Sequence, residues 1–297
     1  MDEKRSLEEC SLHPILQRYG GVPLRNGTRR LGACHLDQST SRLGKALDLL
    51  ERLRPPWIGV VLYGSVARGD ADEKSDIDVL QVVDGAAPDH YSDRDLSVTT
   101  YSLDQLEQLC IRGSLFALHL VTEGRILDDP SGAVAQTLAM YRPPDSYRPF
   151  WEAVRLASQI LDVDGIEFES NPAGFTRLAL YVTRTASILR HLELKGRPSF
   201  SLRELAVATN DPDLEHAFDG RDQATSLDRA RFLIATSVLS RLTGEPIKNQ
   251  FGSLEALAVN VEVEYPVVAG LAMRLLAGEE TLGYGDLFLD PLLIWND

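Results

Sequence analysis

Cysteine is scarce in this sequence, with three residues in 297. Cys10, Cys34 and Cys110 are an odd number, form no CxxC pair and fit no zinc-ligand spacing. This argues against a disulfide framework and against a structural zinc site. We expect all three thiols to be reduced, which suits a cytoplasmic protein.

Long apolar runs are also missing. No stretch approaches the roughly 18 uninterrupted apolar residues of a membrane span. The charged residues Asp2 to Arg5 are not followed by the apolar run of a secretory signal. We therefore predict that no membrane is a partner.

Basic residues are outnumbered: 30 Lys and Arg stand against 44 Asp and Glu, for a net charge of −14. A surface this acidic repels a long phosphate backbone, so extended nucleic acid is not an expected partner. A short nucleotide held through a metal ion remains compatible with this charge. The hydrophobic fraction of 44% is enough for a sizeable core.

The hydrophobic pattern and the positions of glycine and proline divide the chain into three parts. Residues 1–40 are polar and interrupted by glycine, which predicts a weakly ordered N-terminal extension. Residues 41–142 mix strand and helix patterns, whereas residues 143–297 are helical in pattern after the linker signal Pro143-Pro144. The sequence therefore predicts an α+β fold, with a small sheet-containing domain followed by an all-helical domain.

Apolar runs and alternation predict strands over 57–63, 76–83 and 95–102, with a short one at 125–127, and a loop over 85–93. Ser102 and Gln105 have the spacing of a capping box, so a helix should begin there and break near Gly113. Further helices are predicted over 131–141, 148–162, 172–195, 201–209, 212–217, 223–243 and 253–277.

The most informative segment begins where the first buried strand ends, at Gly64-Ser65. Glycine lets the backbone approach a ligand closely, and a serine hydroxyl beside backbone N–H groups at a helix start makes an anion site. Such a site suits a triphosphate. Arg68 and Lys74 could add positive charge or simply be solvated.

Asp76 and Asp78 lie two residues apart in the next predicted strand. Period-2 geometry puts both carboxylates on one face, about 7 Å apart. Carboxylates that close repel each other unless a cation joins them, and Mg²⁺ prefers carboxylate and phosphate oxygens.

The stretch Leu62-Tyr63-Gly64-Ser65, ten spacer residues and Asp76-Ile77-Asp78-Val79 resemble the nucleotidyltransferase superfamily that includes DNA polymerase β. Its minimal and antibiotic-modifying members are the nearest likeness. The resemblance covers about residues 43–130. It implies a polymerase-β-like fold with a short mixed sheet, NTP phosphates held at Gly64 and Ser65, and Mg²⁺ bound by Asp76 and Asp78. Two Mg²⁺ ions are expected, with Mn²⁺ as an alternative.

One departure from that family concerns its third carboxylate, the general base on the following strand. Its position falls near Ser97, which cannot take the role. Asp95 lies on the same strand face, and a bulge or register shift would make it the missing ligand. Asp93 and Glu123 are weaker substitutes, and a catalytically degenerate protein is the remaining alternative.

The expected reaction transfers an NMP group from an NTP to an acceptor hydroxyl and releases pyrophosphate. A protein, a nucleotide or oligonucleotide, and a small molecule such as an aminoglycoside all remain open as acceptors. The first two would fit a bacterial toxin–antitoxin pair or an antiviral defence system. The apolar C-terminus, residues 287–297, is expected to dock on the body, on a protein partner or on a second copy.

Three further side chains have competing interpretations. His119, inside an apolar run, is expected to be a hydrogen-bonded core residue rather than a ligand. Arg184 and His191 have the Arg-x6-His spacing that resembles the motif of HEPN-type ribonucleases, but any amphipathic helix can supply it by chance. We therefore expect both to decorate a helix surface.

Overall fold

The computed structural model describes residues 49–73, 75–85, 89–218 and 229–279. The predicted extension over 1–40, the apolar segment over 287–297 and Lys74 lie outside these described residues. None of the described helices combines the length and the apolar character that a membrane span requires.

A five-stranded mixed sheet forms the first part of the described chain. Its strands are β1 (Gly59–Tyr63), β2 (Ile77–Val83), β3 (Asp89–Asp93), β4 (Leu96–Ser102) and β5 (Arg125–Asp128). Their order is β3-β4-β2-β1-β5, with β2 and β4 parallel and the other pairs antiparallel. The predicted mixed sheet is confirmed.

The two central strands are buried because apolar side chains cover both faces. Val60, Leu62, Ile77 and Val79 pack on one face, which also takes up Leu53. The opposite face holds a second cluster, which includes Tyr63, Leu80, Val82, Tyr101 and Phe116. Side chains alternate along β2, so Asp78 belongs to this second face.

The loop predicted over 85–93 is wrong from Asp89 onward, because Asp89–Asp93 forms β3. Among the described strands it pairs with β4 alone, at the edge of the sheet. Its sequence Asp-His-Tyr-Ser-Asp lacks apolar alternation, since an edge strand with an exposed face has little to bury.

The helices of the first part are α1 (Gly64–Arg68), α2 (Leu103–Ile111), α3 (Leu115–Glu123) and α4 (Ala133–Ala139), after a 3₁₀ turn at Leu49–Arg52. The predicted capping box is confirmed: the Ser102 hydroxyl accepts from the Gln105 N–H, and the Gln105 side chain accepts from the Ser102 N–H. The break near Gly113 separates α2 from α3.

Helices make up the described chain from residue 148 onward. They are α5 (Arg148–Gln159), α6 (Gly165–Ser170), α7 (Pro172–Lys195), α8 (Leu202–Thr209), α9 (Asp213–Phe218), α10 (Arg229–Thr243), α11 (Leu254–Val261) and α12 (Pro266–Leu276). Their apolar faces share one core, which also includes Leu118 of α3. The α+β class with a helical second part is confirmed.

Two helix predictions need correction. The single helix expected over 253–277 is two helices, because Pro266 has no N–H to donate and begins α12 instead. Helix α6 was not predicted, although Asp164 and Glu167 form a capping box at its start. That box has the Asp-x-x-Glu spacing, which is the sequence signal for this short helix.

Candidate functional site

The predicted glycine–serine turn is the point where β1 passes into α1. Gly64 has φ +74°, in the left-handed region that favours glycine. A Cβ atom added at Gly64 would collide with a carboxylate oxygen of Asp78 and lie 3.1 Å from its Cγ. The Asp78 carboxylate therefore lies directly against the backbone of this turn.

The two predicted metal ligands are placed by β2 and its neighbours. Asp78 stands opposite Tyr63 of β1 in the ladder, and Asp76 comes immediately before β2 begins. Both aspartates are partly buried. The strand pairing therefore places Asp78 beside the turn at the end of β1, with Asp76 two residues earlier in the chain.

The position of the missing third carboxylate is set by the parallel register of β2 and β4. Ser97 is the partner of Asp78, so a serine occupies the neighbouring position on β4. Asp95 precedes β4, and its carbonyl accepts from the Ile77 N–H at 2.7 Å, which places its backbone beside Asp76. Its half-exposed carboxylate lies 4.0 Å from a guanidinium nitrogen of Arg52.

Asp93, the weaker substitute, is an ion-pair partner of the same Arg52 and is half exposed. Over the described residues, no group of three or more His, Cys, Asp or Glu side chains is arranged to hold a metal ion. The geometry therefore provides the Asp78 carboxylate at the turn, with Asp76 two residues before it and the backbone of Asp95 beside Asp76.

Comparison with known proteins gives this arrangement a family. Residues 43–115 match the family model described as a nucleotidyltransferase domain. The chain carries a nucleotidyltransferase domain. The match includes the turn, Asp76, Asp78, Asp95 and Ser97.

The whole-chain comparisons add little to the domain match. Among solved structures, a nucleotidyltransferase-like protein from Exiguobacterium sibiricum 255-15 is 15% identical, with 77% of this chain and 79% of that chain covered. Its TM-score of 0.26 supports no inference about this chain. The search of curated proteins finds no match.

Arg68, the last residue of α1, is engaged by two carboxylates. Its Nε donates to Asp70 at 3.1 Å, and a terminal guanidinium nitrogen donates to Glu123 Oε2 at 2.7 Å. Burial opposes the charge on Arg68, but Glu123 and Asp70 raise its pKa overall. The predicted phosphate contact by Arg68 would have to compete with these ion pairs.

Glu123 also binds His119, four residues earlier on α3. The His119 Nε2 lies 2.9 Å from Glu123 Oε2, the oxygen that also accepts from Arg68. Burial raises the pKa of Glu123, but His119 and Arg68 lower it overall, so the carboxylate is ionised at neutral pH. The sequence indicates this pair only through its i,i+4 spacing.

His119 is a buried, hydrogen-bonded residue, as expected from its apolar surroundings. Burial lowers its pKa, Glu123 opposes this, and Arg184 and Arg68 lower it further. The neutral ring therefore donates from Nε2 to Glu123. Its ring meets Tyr63 edge-on at a centroid distance of 5.4 Å and stacks on Phe200 at 4.1 Å.

Arg184 and His191 do not decorate a helix surface, so that interpretation is wrong. Arg184 is partly buried, and one of its guanidinium nitrogens donates to the Phe200 carbonyl at 3.4 Å. His191 is only 2% exposed. A buried histidine does not fit a ribonuclease motif that must meet its substrate.

Two cavities, of about 570 and 510 Å³, lie among the helices after residue 142. Arg190 and Leu242 line both. Their arginines face carboxylates: Arg241 binds Asp211, and Arg190 binds Glu193. Since these charges are compensated within the protein, we assign no ligand to either cavity.

Proposed function

We propose that this chain is a magnesium-dependent nucleotidyltransferase that moves an NMP group from an NTP to an acceptor hydroxyl and releases pyrophosphate. The observation that carries the proposal is the contact between the Asp78 carboxylate and Gly64, inside the matched domain. Asp76 adds a second carboxylate on the same strand face.

The residues present fit a divalent metal. Asp76 and Asp78 offer hard oxygen donors, which Mg²⁺ prefers, and Mn²⁺ accepts the same donors. When bound, one or two such ions would neutralise charge on the triphosphate and on the leaving pyrophosphate. The close approach at Gly64 leaves the metal-ligand side chain next to the turn where we place the phosphates.

The chain's own groups would bind and orient the reactants. The Ser65 hydroxyl donates to a phosphate oxygen, and Lys74 stays a proposed phosphate contact. The acceptor oxygen forms a bond to the α-phosphorus while the bond to the bridging oxygen breaks, and pyrophosphate leaves with that electron pair. Asp95 is the proposed base for the hydroxyl proton, since its backbone lies beside Asp76.

The test is incubation of the full chain with each NTP and dNTP plus Mg²⁺, with products separated by mass. Transfer should release pyrophosphate and identify the acceptor class, including self-modification. Asp76→Ala with Asp78→Ala should abolish turnover, because no carboxylate pair remains to hold the metal. Asp84→Ala, an exposed residue just after β2, is the control and should keep full activity. Turnover in the double variant would refute the metal assignment.

A second candidate function is a nucleotide-binding module without turnover. It is favoured by the register that puts Ser97, rather than an acid, beside Asp78. Both candidates predict NTP binding in a titration. Only pyrophosphate release separates them, and its absence with every NTP and with protein, nucleotide and aminoglycoside acceptors would favour the binding module.

A further inference from the structure

The side chains of Arg68, Glu123 and His119, which are buried or partly buried, form one group beside the nucleotide turn, here called the junction cluster. A single oxygen, Glu123 Oε2, accepts from Arg68 at 2.7 Å and from His119 at 2.9 Å. The side chains of all three are less than 20% exposed: 17% for Arg68, 11% for Glu123 and 10% for His119. The catalytic scheme proposed above uses none of these contacts.

The junction cluster bears on the turn because it holds α1 at its far end. Helix α1 has five residues, Gly64–Arg68, and a helix this short has no stability of its own. Val66 and Ala67 bury its apolar side, and Arg68 ties its last residue to α3. The orientation of Ser65 therefore depends on the apolar contacts of Val66 and Ala67 and on the bond between Arg68 and α3.

The junction cluster also touches the strand that leads into the turn and the helical part of the chain. The His119 ring lies against Tyr63, the residue before Gly64, and stacks on Phe200, between α7 and α8. The ring planes of His119 and Phe200 are 15° apart. One histidine thus connects the strand end, the carboxylate and the helical part.

We infer that Glu123 is a positioning residue for the nucleotide site: by holding Arg68 it fixes α1, and with it Gly64 and Ser65, against Asp78. This rests on the proposed function, because it assumes that the turn binds NTP phosphates. Arg68 then acts through Glu123 and the backbone of α1, not as a phosphate ligand.

The experiment compares Glu123→Ala, Glu123→Gln, Arg68→Met and the double variant Glu123→Ala/Arg68→Met with the wild type. The first readout is the dissociation constant of each Mg-NTP by titration. The second is hydrogen–deuterium exchange of residues 64–69 without nucleotide. Glu152→Ala, which removes the partly buried partner of Arg148 on α5, is the control.

Glu123→Ala should weaken NTP binding about tenfold and speed exchange in 64–69, since a charged hydrogen bond to α1 is lost. Glu123→Gln should recover most of the affinity, because its amide oxygen still accepts from Arg68. Arg68→Met should match Glu123→Ala, and the double variant should be no worse than either. Should Glu123→Ala not fold, Arg68→Met makes the same test from α1.

Unchanged exchange and affinity in Glu123→Ala and Arg68→Met would overturn the inference. A lower melting temperature alone would mean that Glu123 is only structural. If the wild type binds no NTP, the proposed function fails instead. The exchange of residues 64–69 then still decides whether Glu123 fixes α1.

Discussion

At the scale of single residues, Gly64 is where backbone conformation and chemistry meet. Its φ of +74° would strain a residue with an L side chain, and the space for a Cβ is taken by the Asp78 carboxylate. Gly132 separates these two effects, because it has φ +73° with nothing within 4 Å of an added Cβ.

We predict that Gly64→Ala abolishes NTP turnover, while Gly132→Ala leaves it unchanged. Both should lose about 1–2 kcal/mol of stability through backbone strain. Only Gly64→Ala also displaces the Asp78 carboxylate. Urea unfolding and pyrophosphate release measure the two effects. Full turnover in a folded Gly64→Ala variant would show that the contact with Asp78 is not needed.

A close approach to the backbone at Gly64 could be predicted, because a glycine directly after a buried strand permits it. The pairing of Asp78 with this turn followed from the likeness to nucleotidyltransferases. The distant partner of Arg68 could not be predicted, since Glu123 is 55 residues away and the two meet only when α3 packs beside α1.

At the scale of secondary structure elements, apolar patterns located the central strands, whereas the polar strand β3 and the short helix α6 escaped prediction. The pattern at β1, β2 and β4 is strong because these strands are largely buried. Strand β3 is a polar edge strand, and its pairing with β4 depends on a partner in space. Register matters here because it places Ser97, and not Asp95, beside Asp78.

Substitutions of Asp95 and Asp93 form a matched pair that tests whether Asp95 is the general base. Their side chains are 52% and 53% exposed, and both face Arg52. We predict that Asp95→Asn lowers the rate of NMP transfer about a hundredfold, the usual contribution of a general base. Asp93→Asn should leave the rate unchanged. Equal rates in the two variants would mean that Asp95 is only a polar residue before β4. Another group would then have to accept the proton of the acceptor hydroxyl.

At the scale of the whole molecule, the two parts of the chain meet through buried contacts that no local pattern shows. Leu118 of α3 belongs to the helical core, and His119 stacks on Phe200. Because three histidines, His90, His119 and His191, have a pKa lowered mainly by burial, folding favours their neutral form. We therefore expect the nucleotide site and the helical core both to lose stability when the pH falls.

The sign of this sensitivity follows from proton binding. A histidine whose pKa is lower in the folded state binds its proton more readily when unfolded. Its contribution to stability is present above the unfolded pKa, about 6.5, and is lost as the pH falls through the folded value. His191 carries this effect most simply, because neither ring nitrogen has a hydrogen-bond partner within the described residues.

We predict that His191→Leu raises the melting temperature at pH 7 and weakens its fall between pH 7 and pH 5. Burial lowers the His191 pKa, and Arg197 and Lys195 lower it further. Glu204 raises it by less, so protonation of His191 in the folded state is unfavourable. An apolar side chain removes unsatisfied buried nitrogens, worth about 1–3 kcal/mol. The same substitution at the exposed His216 on α9 is the control. A steeper acid loss in His191→Leu would mean that His191 gains a partner when it is protonated, and would reverse its assigned role.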